Sequence, residues 1–201
     1  KNPSVIKNLT IAGSINISNA ASAITAGGVA AAVTGTTTIQ WVTVKERITA
    51  DIPKNNVLSV GGFFGDGSGS ADPLALDDNT KASAKITIQN NTAETDDTKI
   101  YAGGVIGQIS SGSFKLRASG LTVSGSICTS VQNYAYIGGL AGVVKACNVN
   151  NSELAETHWM EIKGLVYDDF TINAENATMV CGGLFGSIWS NVGVFFMGQS
   201  D

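Results

Sequence analysis

Gly103-Gly104-Val105-Ile106-Gly107-Gln108-Ile109 carries the pattern from which the rest of the chain is read. A glycine pair followed by apolar residues recurs four more times: GGVAAAV from Gly27, GGFFGDG from Gly61, GGLAGVV from Gly138 and GGLFGSI from Gly182. The pairs are therefore Gly27-Gly28, Gly61-Gly62, Gly103-Gly104, Gly138-Gly139 and Gly182-Gly183, with spacings of 34, 42, 35 and 44 residues. Four copies add a third glycine, Gly65, Gly107, Gly142 or Gly186, where the first copy has Ala31. An apolar-Thr-apolar triplet precedes each pair: Leu9-Thr10-Ile11, Ile48-Thr49-Ala50, Ile86-Thr87-Ile88, Leu121-Thr122-Val123 and Phe170-Thr171-Ile172. Its threonine lies 17, 12, 16, 16 and 11 residues before the glycine. Two markers alternating in phase define a repeat of about 40 residues, the signature of an array in which each unit supports its neighbours.

Within the unit the period is two. LTIAGSINI, TTTIQWVTV, AKITIQN, GLTVSGSI and DFTINA alternate apolar with polar or small residues and are rich in Ile, Val and Thr. That pattern belongs to strands with one buried face. Glycine pairs beside strands mark corners, where positive φ is free of cost and backbones approach closely. The expected fold is all-β: a right-handed parallel β-helix, or β-solenoid, built from five repeats, with about two coils in each. A propeller or sandwich is the alternative, but Trp41, Trp159 and Trp189 do not keep the register a blade signature needs. The chain reads as a single domain, 1–201, cut from something longer. Variable insertions are expected near 66–80 and 144–170, the second with a short helix over Glu153 to Lys163.

The segments GGLAGVVKACNV and GGLFGSIWSNV resemble the GLUG motif, a short Gly-Leu-x-Gly repeat of bacterial surface and secreted proteins. The lead-in SVIKNLTIAGSIN is similar to the strand that precedes it in surface β-helices. The resemblance implies an extracellular or cell-surface repeat protein, often adhesive. It implies no catalytic residue.

Composition narrows the classes further. Gly is 24 of 201 residues, against a usual share of about 7%. Charged residues are 14%, apolar ones 43%, and the net charge is −4. The apolar share argues against disorder. The acidic balance gives no footing for nucleic acid. The longest weakly polar stretch, Ala20 to Val33, is too short and too interrupted for a spanning helix.

Few side chains suggest chemistry. His158 is the one histidine, with no nucleophile-elbow context around any serine. Cys128, Cys147 and Cys181 are spaced unlike a zinc site and are expected to face the core, with one disulfide as the alternative. Asp66, Ser68, Ser70 and Asp72 alternate, with Asp77 following, as in a calcium loop; Ala71 stands where such a loop needs glycine. A flexible Gly/Ser loop is the simpler reading of that stretch. Trp41, Tyr134, Tyr136, Trp159, Tyr167 and Trp189 are the aromatic pool for stacking on sugars, and Tyr134 and Tyr136 share a strand face. Acids do not recur in phase on one strand, as a paired-carboxylate glycosidase would want. Sequons at Asn8, Asn16, Asn90, Asn150 and Asn176 would be glycan acceptors in a eukaryotic secreted chain, but several arise from an Asn- and Thr-rich composition alone.

The expectation is a non-catalytic structural or adhesive surface module, a rigid spacer or a binding face. It needs no cofactor. Its partners would be surface proteins or glycans, with end-to-end self-association possible. The rival is a carbohydrate-binding or carbohydrate-cleaving module on the same scaffold, or an accessory subunit of a surface complex.

Overall fold

The structure, a computed structural model, describes residues 4–18, 23–52, 56–68, 74–77, 79–89, 98–110, 114–130, 134–145, 159–175, 178–189 and 193–197. It is all-β, with no helix among these residues. The first pass of the chain gives β1 (Ser4–Ser18), β2 (Ile24–Gly27) and β3 (Ala30–Val33). The second gives β4 (Thr37–Asp51), β5 (Val57–Gly61) and β6 (Phe64–Gly67). The third gives β7 (Leu74–Asp77), β8 (Lys81–Ala82), β9 (Lys85–Gln89), β10 (Lys99–Gly103) and β11 (Ile106–Ile109). The fourth gives β12 (Leu116–Ser119), β13 (Thr122–Ser130), β14 (Tyr134–Gly138) and β15 (Ala141–Val144). The fifth gives β16 (Trp159–Lys163), β17 (Val166–Ala174), β18 (Met179–Gly182) and β19 (Phe185–Ile188), and β20 (Gly193–Met197) follows.

Each pass visits three sheets in the same order. A ten-stranded sheet takes β1, β4, β7–β9, β12, β13, β16, β17 and β20. A five-stranded sheet takes β2, β5, β10, β14 and β18, and a second takes β3, β6, β11, β15 and β19. Every ladder is parallel, so each strand pairs with its counterpart one pass away. This is consistent with a β-solenoid. The register keeps the repeats in phase: Gly27 pairs with Gly61, Gly61 with Gly103, Gly103 with Gly138 and Gly138 with Gly182. One repeat thus makes one circuit of three sheets, not two coils. The reason is the length of the first face, where β1 and β4 each run 15 residues.

That long face is bent. Asn8, Trp41, Asn79, Gly120 and Gly164 all have φ between 51° and 67° and fall at successive levels of the stack. The left-handed residue resets the period-two alternation: in β4, Ile39 is buried, Trp41 exposed and Val42 buried. Two cores line the stack. One packs Ile39, Val42, Leu74, Leu76, Leu116 and Met160, from both sides of the bend, with Phe63, Phe64, Ile106 and Ile109. The other lies further along the long face and packs Ile48, Ile86, Ile88 and Ile127 with Leu58, Val60, Ile100 and Ile137.

The threonine triplets do not form one row. Thr49 pairs with Thr87, and Ile86, Ile127 and Ile172 align, so three triplets lie toward the far end of the long face. Thr10 and Thr122 lie at the level of Thr43 and Lys81, just past the bend residue. Position alone does not set the offset to the glycine: Thr87 is level with Thr49 but stands 16 residues before its glycine against 12.

The corner glycines also differ from expectation. Positive φ among glycines occurs at Gly120, Gly125 and Gly164, not at the pairs. Close packing is what the pairs supply. A Cβ on Gly61 would stand 2.6 Å from Val105 O and 2.7 Å from Gly107 N. The third glycine presses on the preceding pass: a Cβ on Gly65, Gly107, Gly142 or Gly186 would meet the amide nitrogen of Ala26, Val60, Ala102 or Ile137 at 2.5–2.6 Å. Ala31 has no earlier strand of that kind beneath it among the described residues and is exposed, so it tolerates a methyl group. Main-chain bonds carry the ladder through the corners, with Phe63 N donating to Val105 O at 2.9 Å and Leu140 N to Leu184 O at 2.8 Å.

Two further expectations are corrected. Trp159–Lys163, placed in a short helix, forms β16, because its main chain pairs with β12 and β20; residues 153–158 lie outside the described residues. The stretch 66–80 is only partly loop, since Leu74–Asp77 is a buried strand of the long face.

Candidate functional site

The richest grouping of polar and aromatic side chains lies where the two short sheets meet the outside. On β10 and β14 the residues facing away from the core are Lys99 and Tyr101, then Tyr134 and Tyr136, which pair in register. On the neighbouring sheet the corresponding residues are Asp66, Gln108 and Ser187, with Ser110, Lys145 and Trp189 just past the strand ends. The tight glycine corner brings the two sets together. Tyr101 and Tyr136 have ring centroids 5.6 Å apart, and Tyr136 meets Trp189 edge-on at 6.2 Å. Lys145 Nζ sits 4.2 Å from the centre of the Tyr101 ring and 5.5 Å from that of Trp189, a cation–π arrangement.

Exposure divides these residues into a floor and a surface. Tyr101 is 3% exposed, whereas Tyr134 is 54% and Trp189 42% exposed. Lys145 and Tyr136 are half-buried. Lys145 Nζ donates to Gln108 Oε1 at 2.7 Å, its one hydrogen-bond partner among the described residues. Desolvation pushes the Lys145 ammonium below the usual lysine pKa; Asp66 pulls it up and Lys99 pushes it down. Burial raises the Tyr101 phenol, helped by Tyr136.

The remaining candidates do not assemble. Asp66 Oδ2 accepts from Ser110 Oγ at 2.8 Å, and Asp77 pairs with Arg117 at 3.3 Å across neighbouring strands. Ser70 and Asp72 lie outside the described residues. Among the described residues no group of three His, Cys, Asp or Glu side chains could hold a metal ion. Cys128 is half-buried and Cys181 exposed, both as free thiols, which corrects their expected core position. Period two explains it: Ile127 and Thr129 take the inward positions on β13. Cys147 and His158 lie outside the described residues. Ser83, Ser124, Asp168 and Asp169 line an open groove beside the bulge at Gly125, with Ser83 and Ser124 hydroxyls 2.6 Å apart.

Sequence reasoning named Tyr134 and Tyr136, with Trp189 in the wider aromatic pool, but missed Tyr101, Gln108 and Lys145. The signal was available in the repeats, since Ser110, Lys145 and Trp189 hold one repeat position; it becomes legible only once the register is known. No helix among the described residues is long and apolar enough to cross a membrane. Comparison with protein-family models, with curated proteins and with solved structures returns no match.

Proposed function

We propose that the chain is a right-handed parallel β-helix of five repeats that serves as a non-catalytic structural and adhesive module of an extracellular or cell-surface protein of the GLUG-motif kind. The observation that carries this reading is the in-register stack of the five glycine corners. Such a stack makes a stiff body whose repeats bury a continuous core, and it leaves outward rows free to vary. The outward row of tyrosines, lysine and tryptophan supplies a binding face. The outermost strands of the stack suit pairing with flanking structure or with another copy.

Two measurements test it. Antibody against the chain should label intact source cells or their medium as strongly as permeabilised cells. Labelling only after permeabilisation overturns the surface assignment. Incubation with a panel of polysaccharides should release no new reducing ends. Reproducible release that tracks the purified protein overturns the non-catalytic assignment in favour of the carbohydrate-cleaving reading.

A further inference from the structure

The Lys145 ammonium is in an unusual position. It is half-buried, it lies over the Tyr101 ring, and its one hydrogen-bond partner among the described residues is the neutral amide of Gln108. An ammonium carries three donors, so two are left for something else. No carboxylate lies within ion-pair distance of it among the described residues; the one ion pair there is Arg117 with Asp77. Asp66 is near enough to act on Lys145 through its charge, but its Oδ2 is engaged by Ser110 and its Oδ1 is buried. Lys99, exposed beside Tyr134 in register, adds a second positive charge to the same face. Asp66 offsets the buried charge only through space, without an ion pair, and an arriving anion recovers part of the remaining cost of desolvating the ammonium.

The aromatic surroundings specify what kind of anion. Trp189 keeps 42% of its surface exposed, with the Lys145 nitrogen 5.5 Å from its ring centre. Tyr136 meets it edge-on. An exposed indole with a cation close over it matches a ring that is apolar on one side and carries a negative charge at its edge. A pyranose bearing a carboxylate has that form: its C–H face stacks on the indole and its carboxylate reaches Lys145. Successive levels of a parallel sheet repeat at about 4.8 Å, so the row extends along the stack, as a linear polymer would need.

We propose that the face formed by Lys99, Tyr134, Tyr136, Lys145 and Trp189 binds an acidic glycan, a uronic-acid-containing saccharide, by stacking on Trp189 and pairing with Lys145. The proposal rests on the adhesive reading above but is tested apart from it, because surface exposure and uronate binding are read by different assays.

The experiment titrates the 201-residue chain with short oligogalacturonate and alginate oligomers, and with neutral cello-oligomers of matched length, by calorimetry and tryptophan fluorescence. The expected result is saturable binding of at least one uronate series, weakening as salt rises. Lys145→Met should weaken it about tenfold or more, equivalent to about 1.4 kcal/mol. Trp189→Ala should abolish it, Trp189→Phe should retain part of it, and Trp41→Phe should leave it unchanged. Unaltered melting of each variant shows that loss of binding is not loss of fold. The proposal is overturned by no saturable uronate binding to the folded protein up to about 10 mM, on the order of the weakest affinity such a contact supplies. Equal binding of neutral oligomers, or full affinity in Lys145→Met, overturns it as well. Uronate binding by a protein that fails the surface-labelling test leaves this inference standing and removes only the adhesive role.

Discussion

Replacing Gly107 by alanine tests the packing account of the glycine corners. A methyl group there would stand 2.5 Å from Val60 N, 2.6 Å from Gly65 O and 2.7 Å from Ser59 Oγ. Two of these atoms belong to the main chain of the preceding pass, held in the parallel ladders of both short sheets. They cannot rotate away. The Ser59 hydroxyl, which donates to Gly65 O at 2.5 Å, would have to leave its acceptor. Overpacking of this kind costs typically about 1–3 kcal/mol, and rigid backbone neighbours put the cost toward the upper end. Loss of glycine's unfolded-state freedom returns about 0.4–1 kcal/mol. The net loss expected is about 2–2.6 kcal/mol, or about 4–10 °C in the melting midpoint for a chain of this size. The control is Gly183→Ala. Gly183 is the second glycine of the last pair, but a Cβ there meets nothing within 4 Å. It should change the midpoint by no more than about 2 °C, within the range of neutral surface changes. Thermal melts followed by far-ultraviolet circular dichroism and by calorimetry decide the matter. Equal destabilisation by the two variants would refute the reasoning, because it would mean that these glycines are needed for their backbone conformation and not for the space they leave.

Three more outcomes follow from other sites. Glu46 is 7% exposed on the inward side of β4, its Oε2 has no partner, and its register neighbour in the next pass is Ala84; Glu46→Ala should therefore stabilise the protein by about 1–3 kcal/mol in urea melts, and a loss of stability would show that the carboxylate is satisfied. Gly164 has φ of 61°, a Cβ there would make only ordinary contact with Gly120 N at 3.6 Å, and Asn8 and Asn79 hold the same bend elsewhere; Gly164→Val should cost about 1–2 kcal/mol and Gly164→Asn clearly less, so equal costs would count against the conformational explanation. Partial desolvation raises the Tyr167 phenol above the ordinary tyrosine value, although the residue keeps 39% of its surface exposed, so the effect is damped by solvent; the unfolded state then loses its proton first, so stability should hold below about pH 10 and fall modestly above it, and Tyr167→Phe should flatten that decline in urea midpoints taken across the alkaline range.

Much of this protein was legible in its sequence, for a physical reason. A repeat of about 40 residues with two-residue alternation can bury its apolar faces only by laying like strands beside like, so GGVIGQI and its four relatives determined an all-β, parallel, repeating body. The tertiary structure decided the rest. It showed that one repeat makes one circuit, because the span of the long face is set by a bend whose residue types, Asn, Trp, Asn, Gly and Gly, share only a tolerance or forcing of positive φ. It showed that the glycine pairs answer to neighbouring backbone, which no single repeat contains. It also turned Trp159–Lys163 into a strand, since pairing with β12 and β20 outweighed local helix-forming composition. The candidate site follows the same rule. Tyr136 was readable from its strand, whereas Tyr101, Lys145 and Trp189 belong to three different passes and become neighbours only through the register between them.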